Sequence, residues 1–368
     1  MANSARKVAT RLAVLGLSCA AVAQLATLQA PAPALAAPAK VSSVHGRNLA
    51  APVKVAKPKM QLGAGIDLYT YPKQNWATAS AADVAYLKAM HANSVMVSFP
   101  FFVASRKSTT VYAKPSTPTP ADLAQFAQVA ESAGIYVTLR PLMDQQGIGE
   151  SRAGWAPINF AQFFASYQAF LLPYATMAQQ NDIPAFYVGA EFSQFQMNKD
   201  WAGLDAALRK VYHGTLAYAN NGPGIRKGVA GGVLATVDAY PDLKVPWTST
   251  VARLVKGWTY MDKRLPRHNV LSEVGISGVR GAYWKPWEHH WPHPVMDVNM
   301  QIRWFTASCD AALRNKLNGI YFWAIGFGTD ELQQTLTPQN QAAWEKGPAQ
   351  TAIAACYKHI ESLPISKQ

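Results

Sequence analysis

Between residues 62 and 361, short apolar runs alternate with longer stretches of helical periodicity, and this alternation constrains the fold more than any other feature. Eight runs have the length of a buried strand, and a helical pattern follows seven of them. Right-handed helical crossovers between parallel strands lead naturally to a closed barrel. The sequence therefore predicts an α/β protein of the (β/α)8 TIM barrel class. The predicted strands are residues 62–69, 94–99, 136–140, 185–189, 215–219, 235–240, 269–272 and 319–323.

Local signals mark the ends of several predicted helices. Thr119 and Pro120 indicate the start of one helix, and Ser80 with Asp83 has the pattern of a capping pair ahead of another. The segment 220–232 is rich in glycine and leaves little room for a helix between the fifth and sixth strands. We therefore expect the fifth helix of the barrel to be reduced or missing.

The first 36 residues have the pattern of a secretory signal peptide, because basic residues precede an apolar run at 12–28 and small residues follow it. Two alternatives stay open: a single-pass anchor, for which the run is marginally long, and a lipoprotein modified at Cys19. We expect a signal peptide at 1–36, a flexible leader at 37–60 and the barrel at 61–368. The protein is expected to be exported, either to the periplasm or to the extracellular space.

The net charge of the chain is +13, and three of the basic residues lie in the expected signal peptide. The remaining excess favours anionic partners, but it is scattered along the chain rather than gathered in a basic arm. We therefore expect a glycan or a charged cell envelope as partner, with no nucleic acid and no stable membrane insertion. A basic surface that serves solubility alone is the alternative. We expect a monomer.

Two cysteines follow the expected leader, Cys309 and Cys356, too few for a disulfide scaffold in a chain of this length. They fall on the predicted helices that flank the eighth strand, which are neighbours in the outer ring of a barrel. Because export exposes thiols to oxidation, we expect them to form a disulfide. The histidines between residues 288 and 293 match no metal-ligand spacing, and the sequence predicts no metal and no cofactor.

Two glutamates directly follow predicted strands: Glu191 follows the fourth and Glu273 the seventh. In (β/α)8 barrels, chemistry takes place where the strands end and the following loops begin. Either carboxylate alone could cap a helix or pair with an arginine. Two carboxylates at one opening can also flank a glycosidic bond, and a separation of about 5–5.5 Å supports hydrolysis with retention through a covalent intermediate. We expect Glu191 and Glu273 to be catalytic.

Six segments carry a resemblance to a known group of enzymes: residues 138–144, 163–167, 188–192, 237–240, 272–275 and 284–287. They resemble the clan A glycoside hydrolases, and among them glycoside hydrolase family 113, a family of barrel β-mannanases. The resemblance implies that Glu191 is the acid/base and Glu273 the nucleophile. It further implies that Tyr240 hydrogen-bonds the nucleophile and that Trp323 forms the floor of the subsite beside the cleaved bond.

The chain departs from the clan pattern at Ala190, where many members carry asparagine, so the contact to the sugar 2-hydroxyl is expected from Asn220 or Asn221. Trp284 and Trp287 follow the seventh strand, and we expect them to wall the substrate cleft.

Two further strand-end residues are candidates for substrate contact. Arg140 ends the third strand, where it could contact a substrate oxygen or pair with a carboxylate, and Asp67 ends the first. The sequence thus indicates an exported, retaining glycoside hydrolase that acts on a polysaccharide, either mannan-like or an exopolysaccharide. A transglycosylase that uses the same residues and a non-catalytic glycan-binding barrel are the alternatives.

Overall fold

The computed structural model describes residues 54–68, 75–222, 229–262, 269–328 and 336–364. Eight parallel strands follow one another around a barrel, which closes because the first strand pairs with both the second and the last. A two-residue strand, β3, is added antiparallel to the end of β2. The strands are β1 (Gln61–Asp67), β2 (Ser94–Val103), β3 (Val111–Tyr112), β4 (Tyr136–Met143), β5 (Ala185–Ala190), β6 (Thr215–Asn221), β7 (Leu234–Asp238), β8 (Val270–Val274) and β9 (Gly319–Gly326).

Seven α-helices in the described part of the chain surround these strands, and the predicted (β/α)8 class is confirmed. The residues described between β6 and β7 form no α-helix, in agreement with a reduced fifth helix. Positions 223–228 of that connection, and the expected signal peptide, lie outside the described residues. The helices are α1 (Trp76–Ala89), α2 (Pro120–Ser132), α3 (Phe160–Gln180), α4 (Asp200–Arg209), α5 (Val251–Asp262), α6 (Val298–Arg314) and α7 (Pro348–Ser362).

The start of α1 differs from the prediction. Asn75 caps the helix, and its side chain accepts a hydrogen bond from the Thr78 backbone N–H at 3.2 Å. The predicted capping pair is wrong, because Ser80 and Asp83 lie inside the helix on its fully buried face. Asp83 accepts a hydrogen bond from the Gly328 backbone N–H just after β9. Asp83, which the sequence pattern assigns to a helix cap, therefore connects the helix to the end of the last strand by a hydrogen bond. The predicted start of α2 is confirmed, with Thr119 as the cap.

Cys309 on α6 and Cys356 on α7 form a disulfide, as the sequence predicts. The two helices lie side by side and flank β9 in the chain. The bond therefore fastens the last two helices of the outer ring to each other.

The apolar core has two layers. The larger layer fills the space between the strands and the helices, and aromatic side chains such as Phe163, Phe195 and Trp201 dominate part of it. A smaller cluster includes Met96, Tyr187 and Ala217, whose positions in their strands alternate with those of the larger layer. No helix among the described residues is long and apolar enough to cross a membrane.

Candidate active site

Glu273 lies near the end of β8, where the strand departs from regular pairing. The register of β8 shifts against both β7 and β9. Ser272 and Glu273 are consecutive, and in a regular strand their side chains would point to opposite faces. Here both reach one buried cluster: the Ser272 hydroxyl donates to Asp238 at 2.8 Å, and Glu273 accepts from Arg140 at 2.7 Å. The irregularity therefore brings the Glu273 carboxylate to the inside of the barrel.

Arg140 on β4 is fully buried and contacts carboxylates from two strands. Its Nη2 donates to Glu273, its Nη1 lies 3.2 Å from an Asp238 oxygen, and its Nε donates to the Ser98 hydroxyl at 2.9 Å. Of the two alternatives in the sequence, pairing with a carboxylate is confirmed. Because a buried ion pair is costly to remove from water and yields little net stability, we interpret this cluster as a group of residues that orients Glu273.

Asp238, at the end of β7, shares the Arg140 cation with Glu273. Burial raises the pKa of Asp238 well above its ordinary value, and the charges of Glu273 and Glu191 raise it further, whereas Arg140 lowers it. One cation cannot neutralise two carboxylates. A proton on Asp238 leaves Arg140 paired with a charged Glu273.

Tyr240 donates its hydroxyl to the second oxygen of Glu273 at 2.5 Å. A side chain at position 275 would crowd this contact, since a Cβ on Gly275 would lie 3.0 Å from the Tyr240 hydroxyl. Burial raises the pKa of Tyr240 well above its ordinary value, and the charges of Glu273, Asp238 and Glu191 add to the shift. The hydroxyl therefore remains a donor to Glu273. Glu191 and Glu273 both lie at the carboxyl ends of parallel strands, so they share one end of the barrel.

Glu191 directly follows β5, and its φ of 59° lies in the left-handed region, which residues other than glycine rarely adopt. Two backbone hydrogen bonds hold this conformation. The Glu191 N–H donates to the Ala219 carbonyl at 2.8 Å, and the Phe192 N–H donates to the Tyr218 hydroxyl at 2.8 Å. The Glu191 side chain is 15% exposed. Strained backbone of this kind is concentrated at functional sites.

Arg152, in the loop between β4 and α3, contacts Glu191. Its Nη2 lies 3.0 Å from a Glu191 oxygen, and its Nη1 donates to the Met143 carbonyl at 2.9 Å. Burial raises the pKa of Asp67 at the end of β1, and the charges of Arg140 and, to a smaller extent, Arg152 oppose this shift. The sequence did not predict this contact, since the loop has neither periodicity nor a strand end to mark the residue.

Trp323 on β9 is half-buried, and its ring lies over Arg140, with 4.8 Å between the ring centroid and the guanidinium carbon. The ring fits against β1 because position 65 is glycine: a Cβ there would lie 2.6 Å from the indole. Asp67 has a buried oxygen, Oδ1, that lacks a hydrogen-bond partner. Burial raises the pKa of Asp67 to about 6, and the charge of Arg140 limits the shift.

The remaining predicted substrate contacts fall in two places. Asn220 is fully buried in the barrel wall, where its Nδ2 donates to the Thr236 carbonyl at 3.0 Å and its Oδ1 lacks a partner. Trp284 and Trp287 are exposed on the loop after β8. In the same loop, burial lowers the pKa of His289, whose ring lies 6.3 Å from the Tyr240 ring. Within the described residues, no three potential metal ligands come together.

A closed (β/α)8 barrel with two glutamates at the carboxyl ends of β5 and β8 has the architecture of a barrel glycoside hydrolase. The sequence model described as Glycoside Hydrolase Family 113 matches residues 68–349. The chain belongs to this family, and the resemblance in the sequence is confirmed. It is therefore a glycoside hydrolase.

Solved structures share the fold. A structure described as a GH113 β-1,4-mannanase is 19% identical, with a TM-score of 0.68, and the match covers 82% of this chain and 99% of that one. The GH113 β-mannanase from Alicyclobacillus acidocaldarius, in complex with ManMIm, is 20% identical over 82% and 98% of the two chains, with a TM-score of 0.66. A family 5 mannosidase from Rhizomucor miehei is 11% identical over 85% and 97%, with a TM-score of 0.55. A search of curated proteins found no match.

Proposed function

We propose that this chain is an exported, retaining glycoside hydrolase that cleaves a β-linked, mannan-like polysaccharide with Glu191 as acid/base and Glu273 as nucleophile. The observation that carries the proposal is the setting of Glu273, whose oxygens accept hydrogen bonds from Arg140 and Tyr240. Two donors stabilise the charged form that a nucleophile needs. Glu191 is the second carboxylate at the same opening and has one neighbouring cation, Arg152.

The reaction has two displacements. A Glu273 oxygen attacks the anomeric carbon, the bond to the leaving oxygen breaks, and protonated Glu191 gives its proton to that oxygen. In the second step, Glu191 takes a proton from water, and the water oxygen attacks the anomeric carbon. The bond to Glu273 breaks, and both carboxyl groups return to their starting forms. Arg140 and Tyr240 hold Glu273 in place during both steps.

Trp323 and Asp67 are the proposed contacts of the sugar that is attacked. The half-buried face of Trp323 can stack on the C–H face of a sugar, and Asp67 offers a carboxyl oxygen that has no protein partner. Arg140 is fully buried, so it acts on the substrate through Glu273 rather than by contact. Asn220 is also fully buried, so the same argument applies to it, and its contact to the sugar 2-hydroxyl stays a prediction.

Two kinds of observation support the proposed substrate and the proposed cellular location of the enzyme. Solved structures with this fold are described as β-mannanases, which favours a β-mannan-like substrate over other polysaccharides. The pattern of residues 1–36 supports export to the periplasm or the extracellular space. Product analysis separates hydrolysis from transfer to another sugar, because only transfer yields products longer than the substrate.

Alanine variants of the two glutamates test the roles. We expect Glu273→Ala to abolish turnover of every substrate, and Glu191→Ala to keep activity on aryl glycosides whose leaving groups need no proton. Azide should accelerate Glu191→Ala and yield the β-glycosyl azide, since a small anion replaces water in the second step. Glu361→Ala on α7 is the control. The reverse pattern would exchange the roles, and wild-type activity in both variants would show that neither glutamate is catalytic.

A further inference from the structure

The exposed tryptophans of this chain are gathered on two loops. The sequence has eleven tryptophans, and the three that are exposed are Trp247, Trp284 and Trp287, at 38%, 54% and 52%. Trp247 lies on the loop after β7, and the other two lie on the loop after β8. We call these three residues the tryptophan platform. Large apolar side chains gathered on a surface indicate a binding site rather than a requirement of folding.

Hydrogen bonds join the two loops to each other and to α6. The Leu243 N–H donates to the Tyr283 carbonyl, and the Trp284 indole N–H donates to the Val245 carbonyl, both at 3.1 Å. Arg303 on α6 donates to the Trp247 carbonyl at 2.8 Å. The indole N–H of Trp284 is therefore satisfied by the protein. What remains available on this side chain is apolar ring surface, which suits the C–H face of a sugar.

The tryptophan platform is continuous with the candidate active site. Lys285 to Glu288 form a turn, closed by a 3.0 Å hydrogen bond, in which Trp287 is the third residue. Two residues later, His289 lies 6.3 Å from Tyr240, which binds Glu273. Two residues, which span at most about 7 Å, therefore connect Trp287 to a side chain that lies beside the tyrosine of the candidate active site. The tryptophan platform and the candidate active site thus share one loop.

The charges on the two loops balance. Between 241 and 250 and between 275 and 297, the basic residues are Lys244, Arg280 and Lys285, and the acidic residues are Asp242, Glu288 and Asp297. Four of these form two ion pairs within the loops, Lys244 with Asp242 and Arg280 with Asp297. The net charge of +13 belongs to the whole chain and is not concentrated at the tryptophan platform. This surface therefore suits a neutral sugar chain, although the overall composition favours anionic partners.

We propose that the tryptophan platform binds an uncleaved part of a neutral β-glycan chain while another part of the same chain lies at Glu191 and Glu273. The platform thereby makes the enzyme prefer polymers to short substrates. This inference rests on the proposed function, but the binding can be measured without turnover.

Affinity electrophoresis tests the binding directly. Protein carrying Glu273→Ala is run in gels that contain soluble neutral β-mannan or a uronic-acid polysaccharide. We expect the neutral polymer to retard it more strongly, and we expect Trp247→Ala, Trp284→Ala and Trp287→Ala together to weaken that binding roughly tenfold or more. Leu234→Ala, an exposed apolar change at the start of β7, is the control. Undiminished binding by the triple variant, or stronger retardation by the acidic polymer, would overturn the proposal.

Kinetics with the intact catalytic pair gives a second readout. The ratio of kcat/KM on β-mannan to kcat/KM on an aryl β-mannoside should fall roughly tenfold in the triple variant. Trp287→Ala alone should lower this ratio by a smaller factor. An unchanged ratio would contradict the tryptophan platform. A variant that loses a self-association of the parent, without loss of glycan binding, would identify the surface as a dimer contact instead. If Glu273→Ala still turns over substrate, the proposed function fails, and the electrophoresis result stands independently.

Discussion

The Arg152 guanidinium lies 3.0 Å from the Glu191 carboxylate, so the proposed acid has a cation as its neighbour. Arg152 also donates to the Met143 carbonyl, so its guanidinium is fixed between the end of β4 and Glu191. Glu191 gives a proton in the first proposed displacement and takes one in the second. Arg152 therefore positions the carboxyl group that both displacements use.

Removing this contact should reduce activity on substrates that need a proton donor. We expect Arg152→Ala to lower kcat/KM roughly tenfold on a substrate with a poor leaving group, because the Glu191 carboxyl group loses the hydrogen bond that orients it. The loss should be smaller on an aryl glycoside whose leaving group needs no proton. Arg106→Ala is the matched control, since Arg106 donates to the Ile148 and Gly149 carbonyls of the same loop. An equal loss in both variants would mean that the position of the loop, not the contact with Glu191, is responsible.

A neutral side chain should replace Asp238 with modest loss. Burial raises the pKa of Asp238 well above its ordinary value, which favours its neutral form. We expect Asp238→Asn to keep kcat/KM within about tenfold of wild type, and Asp238→Ala to lose considerably more, because it removes the acceptor of Ser272 and Arg140. A loss in Asp238→Asn as large as that in Glu273→Ala would show that the charge of Asp238 is required.

Glu131 should make the protein less stable as the pH rises. It is buried on α2, its Oε1 lacks a partner, and burial, followed by the charge of Asp182, raises its pKa to about 8 from 4.5. The unfolded chain loses this proton at the lower pH, so unfolding becomes more favourable between these values. We expect Glu131→Gln to raise the free energy of unfolding by a few kcal/mol at most at pH 8, at roughly 1.4 kcal/mol per pKa unit. Urea unfolding at pH 4 should show no difference, and a gain there would point to another cause.

The disulfide should contribute measurably to stability. Cys309 and Cys356 are 47 residues apart, and closing a loop of that length stabilises by about 4 kcal/mol in the chain-entropy description. We expect a double serine variant to lower the free energy of unfolding by about 2–4 kcal/mol. Thiol titration of the denatured, unreduced protein without residues 1–36 is the direct check. Two free thiols per chain would contradict the bond.

The barrel could be predicted from the sequence because each buried strand is a short apolar run with a helix after it. The same regularity placed Glu191 and Glu273, which directly follow such runs. Asp238 was missed as a site residue, although it is two positions before Tyr240 in the same segment. The only signal that could have found it is a charged residue in an otherwise apolar strand.

Contacts made by loops could not be predicted in the same way. Arg152 lies in a loop, and no spacing in the sequence relates it to Glu191, 39 positions away. The predicted cap of α1 was wrong for a related reason. Ser80 and Asp83 fit the local pattern, but both are buried, and Asp83 bonds to Gly328 after the last strand. Local rules describe neighbours in the chain, whereas these residues are positioned by neighbours in space.

The register shifts on both sides of β8 restrict how this barrel can be recombined with its relatives. A loop that follows a regular strand can be exchanged with a junction anywhere in that strand, because the alternation of inward and outward side chains continues across the junction. A junction inside Val270–Val274 would separate Glu273 from the irregularity that orients it. Chimeras that join two family members should therefore take β8 whole from one parent, together with the adjoining edges of β7 and β9.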